Sequence, residues 1–207
     1  MENISAEKLR ELIVTSFSGQ RVLDLRFEGL SKVPEAVTDL TELEELDLSF
    51  NYLKELPSSI CKLKNLKWLI LDENQLRELP RSICELSNLT WLSVSNNQFC
   101  VLPSNIKHLN NLWGLDLSVN QLTTLPDEIG ELKELGVLYV AGNPLTLEGM
   151  RKVVKLQNKT KFVTDVRGKD MKCSLFVSYF MSCEWNKYWN MKFNLKITKW
   201  QMCCWPF

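Results

Sequence analysis

The chain has 207 residues, of which 45% are hydrophobic and 24% charged, with 25 basic and 25 acidic side chains. This composition suffices for a continuous buried core, and the balanced charge gives no reason to expect a nucleic-acid partner. Acids within residues 1–18 argue against a secretory signal peptide, and the longest apolar-rich window, Cys173 to Cys183, is too short to cross a bilayer. We therefore expect a cytoplasmic protein.

Residues 1–19 are predicted to form an N-terminal capping helix. Ser5 can cap a helix that runs to about Thr15 and carries Leu9, Leu12 and Ile13 on one face. Such a face would cover the end of the repeats that follow. A helix that binds a partner would show the same pattern, and it is the alternative.

Residues 20–145 repeat one 23-residue pattern about six times. The stretch from Gln20 to Glu42 fits the frame with Glu28 where later copies have asparagine. The later copies open at Leu43, Leu66, Leu89, Leu112 and, in truncated form, Leu135. Asparagine recurs at one repeat position, as Asn51, Asn74, Asn97, Asn120 and Asn143, and proline at another, as Pro57, Pro80, Pro103 and Pro126.

Each part of the pattern has a physical reason. Alternating leucines, as in LEELDL, predict a short strand with one buried face, and stacked copies predict a parallel sheet. An asparagine side chain both donates and accepts, so a column of asparagines can satisfy the backbone where the chain turns out of each strand. Proline then begins a short helical return segment. Glu28 cannot donate when ionised, so the first repeat should be held less well, and Gly29 suggests a modified turn there.

Residues 146–167 are predicted to form a C-terminal capping helix, capped by Thr146 and reaching Leu156. Residues 168–207 differ in composition, being rich in tryptophan and cysteine, and we expect a weakly ordered tail. Within this tail, Trp189 to Thr198 alternates strictly and predicts a strand. That strand could join a sheet edge, lie at a membrane interface, or belong to an alternative terminus that was not selected for packing.

The side chains that point away from the core should form a concave surface suited to a partner. Solvent-facing tryptophan is unusual on a sheet but frequent at the energetic centre of interfaces, and the acids nearby favour a basic and apolar protein partner. The predicted contact residues are Trp68, Trp91, Trp113, Ile70 and Tyr139, with Glu45, Asp47, Asp72 and Asp116 supplying charge. The alternative is that the indoles simply lie flat on neighbouring side chains or are covered by the tail.

No catalytic, cofactor or metal site is predicted. His108 is the only histidine and is expected at the surface. Cys61 and Cys84 occupy the same repeat position, so a disulfide is conceivable, but free thiols are the preferred interpretation in a reducing compartment. We expect a monomer.

The motif L-x-x-L-x-L-x-x-N-x-L with its LPxxI turns resembles the leucine-rich repeat family, over roughly residues 20 to 147. The resemblance implies an α/β solenoid with a curved parallel sheet on its concave face, short helical or 3₁₀ segments on its convex face, and helical caps. The 23-residue form is similar to that of intracellular Ras-pathway and Scribble/Erbin-type scaffolds.

This resemblance implies a non-enzymatic adaptor or scaffold that binds a signalling partner, such as a small GTPase or a phosphatase. A regulatory subunit that controls a bound phosphatase or small GTPase is one alternative. A membrane-associated module acting through the tail is another.

Overall fold

The computed structural model describes residues 5–157 and the backbone of residues 162–164. Within this part of the chain, two α-helices are present, α1 (Ala6–Arg10) and α2 (Leu147–Gln157). The described strands form one sheet in chain order: β1 (Val14–Thr15), β2 (Arg21–Asp24), β3 (Glu45–Asp47), β4 (Trp68–Ile70), β5 (Trp91–Ser93), β6 (Gly114–Asp116), β7 (Val137–Tyr139) and β8 (Phe162–Thr164). The predicted leucine-rich repeat solenoid is confirmed, with an open, curved sheet that is parallel from β2 to β8.

The repeat sets the register of the sheet. Each residue of a strand pairs with the residue one repeat later, as Leu46 does with Leu69 and Leu69 with Leu92. The central leucine of each strand from β2 to β7 points inward and is fully buried. Because every copy presents the same inward leucines, stacking produces one continuous core along the array.

The return arms are 3₁₀ helices rather than α-helices. Each begins directly after a proline, whose fixed φ suits the first turn. They span Glu35–Asp39, Ser58–Lys62, Arg81–Glu85, Ser104–His108 and Asp127–Glu131. Ile60, Ile83 and Ile106 point inward from three of these segments and are fully buried, so the return arms close the core opposite the sheet.

The buried asparagines connect successive repeats. Oδ1 of Asn97 accepts from the backbone N–H of Leu76 at 2.9 Å. Its Nδ2 donates to the carbonyl oxygens of Leu71, Val94 and Ser95 at 2.9, 3.2 and 3.1 Å. The asparagines at the equivalent positions of the other repeats bond in the same way. Each side chain thus satisfies backbone groups of two adjacent repeats in a region closed to water.

A second asparagine column, which the sequence pattern did not single out, lies outside the core. Nδ2 of Asn65, Asn88 and Asn111 donates to the carbonyl oxygen of Thr41, Lys64 and Ser87 at 2.9, 2.8 and 2.7 Å, respectively. These bonds join neighbouring repeats at the solvent-exposed turns that lead into the strands.

The first repeat lacks the buried asparagine. The Glu28 side chain is exposed, and Gly29 has a φ of +66°, which glycine adopts without strain. Asn51 of the next repeat still accepts from the Leu30 N–H at 2.9 Å and donates to the Leu25 carbonyl at 2.9 Å. The asparagine column therefore reaches the first repeat only through Asn51.

The N-terminal helix is shorter than its sequence pattern predicts. Ser5 accepts from the Lys8 N–H at 3.3 Å, but α1 ends at Arg10, and β1 pairs antiparallel with β2. The β-branched run from Ile13 to Thr15 favours a strand, and pairing covers the otherwise open edge of β2. Leu9 is fully buried, whereas Leu12 is 43% exposed and does not belong to the buried face.

The C-terminal helix α2 begins where Thr146 caps it, with the Gly149 N–H donating to the Thr146 hydroxyl at 3.2 Å. Val153 and Leu156 are buried on the core, whereas the apolar Leu147, Met150 and Val154 are exposed. After α2, strand β8 extends the sheet beside β7, which the sequence pattern did not predict. The predicted tail, residues 168–207, and its strand from Trp189 to Thr198 lie outside the described residues.

Candidate functional site

The outward-facing strand residues form the concave face of the sheet. Val22, Glu45, Trp68, Trp91, Gly114 and Val137 occupy one row across β2 to β7. A second row consists of Asp24, Asp47, Ile70, Ser93, Asp116 and Tyr139. The predicted contact residues lie in these two rows, except Trp113, which precedes β6 by one residue, and Asp72, which follows β4 by two.

Three tryptophans form a continuous aromatic array, which we call the tryptophan array (Trp68, Trp91 and Trp113). The rings of Trp68 and Trp91 stack with centroids 5.9 Å apart and planes 28° from parallel. Those of Trp91 and Trp113 are 6.2 Å apart and tilted by 36°. Trp68 and Trp91 are half-buried, and Trp113 is 39% exposed, so the array offers aromatic surface to solvent.

Two glycines make room for this array. A Cβ on Gly114 would lie 2.1 Å from Cε3 of Trp91, and a Cβ on Gly136 would lie 2.5 Å from Nε1 of Trp113. Each indole therefore lies over the backbone of the next repeat. This role was not predicted, although glycine at a repeat position that larger residues hold elsewhere is a usable signal in the sequence.

Ile70 and Tyr139 have different surroundings. Ile70 lies between Asp47 and Ser93 in the second row and is only 7% exposed, so it offers a partner little accessible surface. Tyr139 pairs in register with Asp116 and is half-buried. It lies toward the C-terminal end of the face, whereas Trp68 and Trp91 lie near its middle.

One guanidinium neutralises part of the acidic end of the face. Arg26 donates to both carboxylate oxygens of Asp24, at 3.0 Å from Nε and 2.8 Å from Nη2. Nε also lies 3.3 Å from Oδ2 of Asp47. Burial nevertheless raises the pKa of Asp47, against the opposing hydrogen bonds from Ser49 and the Arg26 charge. This pairing was not predicted from the sequence.

Asp72 and Asp116 are held by serines and backbone amides rather than by a basic side chain. Oδ1 of Asp72 accepts from the Ser93 hydroxyl at 2.5 Å and the Ser95 N–H at 2.8 Å. Oδ1 of Asp116 accepts from the Ser118 N–H at 2.8 Å. Burial raises the pKa of Asp72 to about 6 and also raises that of Asp116. The hydrogen bonds from these serines therefore only partly offset the effect of burial on the two carboxylates.

Glu45 adjoins the tryptophan array. It pairs in register with Trp68, and within the described residues its carboxylate has no hydrogen bond or ion pair. Burial, followed by the charges of Asp47 and Asp24, raises its pKa to about 7, and Arg26 opposes this shift. A cation placed beside Glu45 would oppose both effects and lower this pKa, because it would stabilise the ionised carboxylate.

Other chemistry receives no support from the described residues. Within residues 5–157, no group of three or more histidine, cysteine or acidic side chains is arranged to hold a metal ion. His108 is exposed at the end of a return arm. Cys61, Cys84 and Cys100 are free thiols, which confirms the preferred interpretation of the first two. No helix in the described part of the chain has the length and apolarity needed to span a membrane.

A second aromatic pair lies at the border of the concave face and was missed. The rings of Phe27 and Phe50 stack with centroids 4.4 Å apart, and the side chains are 61% and 46% exposed. Their repeat position follows the strand and has positive φ in every repeat, at Phe27, Phe50, Glu73, Asn96, Val119 and Gly142. The sequence did carry a signal of this positive φ, because one copy has asparagine and another glycine at the position where other copies have bulky residues.

Comparisons with known proteins agree with this fold. The leucine-rich repeat family model matches two overlapping stretches, residues 21–76 and 41–99. A leucine-rich repeat protein of Leptospira interrogans is 34% identical, with a TM-score of 0.54 over 66% of this chain and 40% of its own. An internalin of Listeria monocytogenes is 23% identical, with a TM-score of 0.54 over 66% of this chain and 41% of its own, and supports the fold alone.

A plant structure is also similar. The leucine-rich repeat ectodomain of a membrane receptor kinase of Arabidopsis thaliana, in complex with Casparian strip integrity factor 2, is 33% identical, with a TM-score of 0.54 over 59% of this chain and 15% of its own. The chain thus spans less than half the length of each of these structures. A comparison with curated protein sequences gives no significant match.

Proposed function

Because the chain has a leucine-rich repeat fold, and such domains generally bind protein partners, we propose that it is a non-enzymatic adaptor whose partner binds the concave face. The observation that carries the proposal is the tryptophan array, which presents stacked indoles at the centre of that face. Tryptophan is among the residues that most often dominate binding energy at interfaces.

The charges on the face support a basic and apolar partner. Asp24, Asp47 and Arg26 form one paired cluster, whereas Glu45, Asp72 and Asp116 add negative charge around the tryptophan array. A basic and apolar protein surface complements this arrangement, since its charges would be steered toward the acids and its apolar groups would cover the indoles. Tyr139 extends the proposed contact toward the C-terminal end.

We propose a signalling protein, such as a small GTPase or a phosphatase, as the partner, and a monomeric adaptor in the cytoplasm. The uninterrupted 23-residue period with LPxxI turns and the free thiols of Cys61, Cys84 and Cys100 support an intracellular setting and the similarity to Ras-pathway and Scribble/Erbin-type scaffolds. Cell fractionation tests the location, and sedimentation tests the monomer.

The test of the adaptor function is a quantitative capture experiment with the full chain. Proteins retained from cell lysate are identified by mass spectrometry, and each candidate is purified and titrated calorimetrically against the wild-type chain and the Trp68→Ala/Trp91→Ala variant. We expect the double variant to reduce affinity by at least about thirtyfold, which corresponds to loss of about 2 kcal/mol from a central aromatic contact.

The matched control is Val101→Ala, which removes an apolar side chain that is 64% exposed and lies outside the concave rows. Circular dichroism must show that all variants remain folded. A partner that binds the double variant and the wild type equally would contradict the assignment. A change in the partner's enzymatic activity on binding would distinguish a regulatory subunit from a passive adaptor.

A further inference from the structure

We infer that the concave face recognises an arginine side chain of its protein partner, whose guanidinium stacks on the Trp68 indole and pairs with the Glu45 carboxylate. This inference rests on the proposed function, because it specifies the chemistry of the same surface. Trp68 and Glu45 together favour a group that is both planar and positively charged.

The two residues that would bind this guanidinium lie side by side on the sheet. Glu45 and Trp68 are in-register neighbours on β3 and β4, and both are half-buried on the same face. Trp68 lies between two in-register neighbours, Glu45 on β3 and Trp91 on β5, and its ring stacks with that of Trp91. Adjacent parallel strands lie about 4.8 Å apart, so a planar group on the indole is within reach of that carboxylate.

The positive charge of Arg26 is shared unequally among the nearby carboxylates of the concave face. Arg26 satisfies Asp24 and Asp47 with distances between 2.8 and 3.3 Å. Glu45 lies one row away from this cluster, and in the described part of the chain it has no ion pair of its own. A guanidinium beside Trp68 would give Glu45 the partner that Arg26 gives to the two aspartates.

The site between Trp68 and Glu45 suits arginine better than lysine. A guanidinium is planar, stacks on aromatic faces and is weakly hydrated, so it can enter a half-buried site between an indole and a carboxylate. An ammonium is compact and strongly hydrated, and it would lose more solvation on entering. Arg26 already shows this type of recognition on the same face, with two donors directed at one carboxylate.

The test uses four synthetic peptides that share one extended, apolar sequence and differ at a single central residue: arginine, citrulline, lysine or leucine. Citrulline is the matched control, because it keeps the shape of arginine and removes its charge. Binding to the full chain is measured by tryptophan fluorescence and calorimetry. We expect the arginine peptide to bind about tenfold more tightly than the citrulline peptide, and lysine to fall between them.

The variant Glu45→Gln should abolish the preference for arginine over citrulline while leaving the affinity for the leucine peptide unchanged. Glu78→Gln, at an exposed side chain outside the concave rows, should retain the preference. Equal binding of arginine and citrulline, an unchanged preference in Glu45→Gln, or no binding of the arginine peptide at millimolar concentration would each overturn the inference. If one of these results is found but a protein partner still loses affinity for the Trp68→Ala/Trp91→Ala variant, the arginine inference fails and the adaptor function stands.

Discussion

The indole of Trp91 lies directly over the backbone of Gly114, so closely that a Cβ on the glycine would be 2.1 Å from Cε3 of the ring. The two residues are in-register neighbours on β5 and β6. The missing side chain of one residue thus determines the orientation of the other, and with it the position of the whole tryptophan array.

Gly114→Ala is therefore expected to displace the Trp91 ring and to destabilise the fold by about 1–3 kcal/mol, as overpacking does in a close-packed site. Near-ultraviolet circular dichroism reports the stacked indoles, and urea unfolding reports the stability. The control is Gly130→Ala, whose Cβ would be 3.7 Å from Leu156, an ordinary contact. An unchanged near-ultraviolet spectrum in Gly114→Ala would contradict the described geometry.

Asn97→Asp tests the buried asparagine column. The substitution keeps the acceptor that bonds Leu76 but removes the donor that serves three carbonyl oxygens, and it places a carboxyl group in a closed site. We expect a loss of about 2–4 kcal/mol in the free energy of unfolding. Asn111→Asp removes one exposed bond to Ser87 and should lose less than about 1 kcal/mol. Equal losses at the two sites would argue against a special role for the buried column.

Val119→Asn is expected to stabilise the protein. Val119 is 50% exposed and has a φ of +52°, a conformation that a β-branched residue adopts only with strain, whereas asparagine tolerates it. The expected gain is about 0.5–1 kcal/mol in the free energy of unfolding, measured in urea. The reverse change, Asn96→Val, places valine at the equivalent position of the preceding repeat, where φ is +52°, and should destabilise by a similar amount. A change of the same sign in the two variants would exclude backbone strain as the cause.

Glu45→Gln is expected to change the pH dependence of stability. The pKa of Glu45 is raised from 4.5 to about 7, so between these values the folded protein binds more protons than the unfolded chain. Stability from this group is therefore present at low pH and is lost as the pH rises toward 7. Asp24, Asp47 and Arg26 face Glu45 and are unchanged in the variant.

The variant should consequently match the wild type near pH 4.5 and exceed its free energy of unfolding by about 1–3 kcal/mol at about pH 8, where the wild-type carboxylate is ionised. Urea unfolding at both values measures the difference. Glu78→Gln, at an exposed side chain, should follow the wild-type profile. A difference that shrinks as the pH rises would mean that the pKa of Glu45 is lowered rather than raised, with the Arg26 charge outweighing burial and the two aspartates.

The sequence by itself determined the architecture. The period of 23 residues, the alternating leucines and the prolines predicted a parallel solenoid with short return arms, because a fixed period requires each copy to bury the same residues against its neighbours. The same alternation predicted which side chains face the concave surface. The end elements were less well predicted, since the helix signal near Ser5 competed with a β-branched run that an open sheet edge recruits as a strand.

Only the tertiary structure decided how the surface residues interact. The pattern placed Trp91 and Glu45 on one face, but it could not show that the Trp91 indole lies over Gly114, or that Arg26 serves two aspartates and leaves Glu45 without an ion pair among the described residues. Periodicity fixes the direction of a side chain from its strand. Rotamer, burial and charge pairing depend on neighbours one repeat away, which differ from copy to copy and act through contacts that local sequence does not specify.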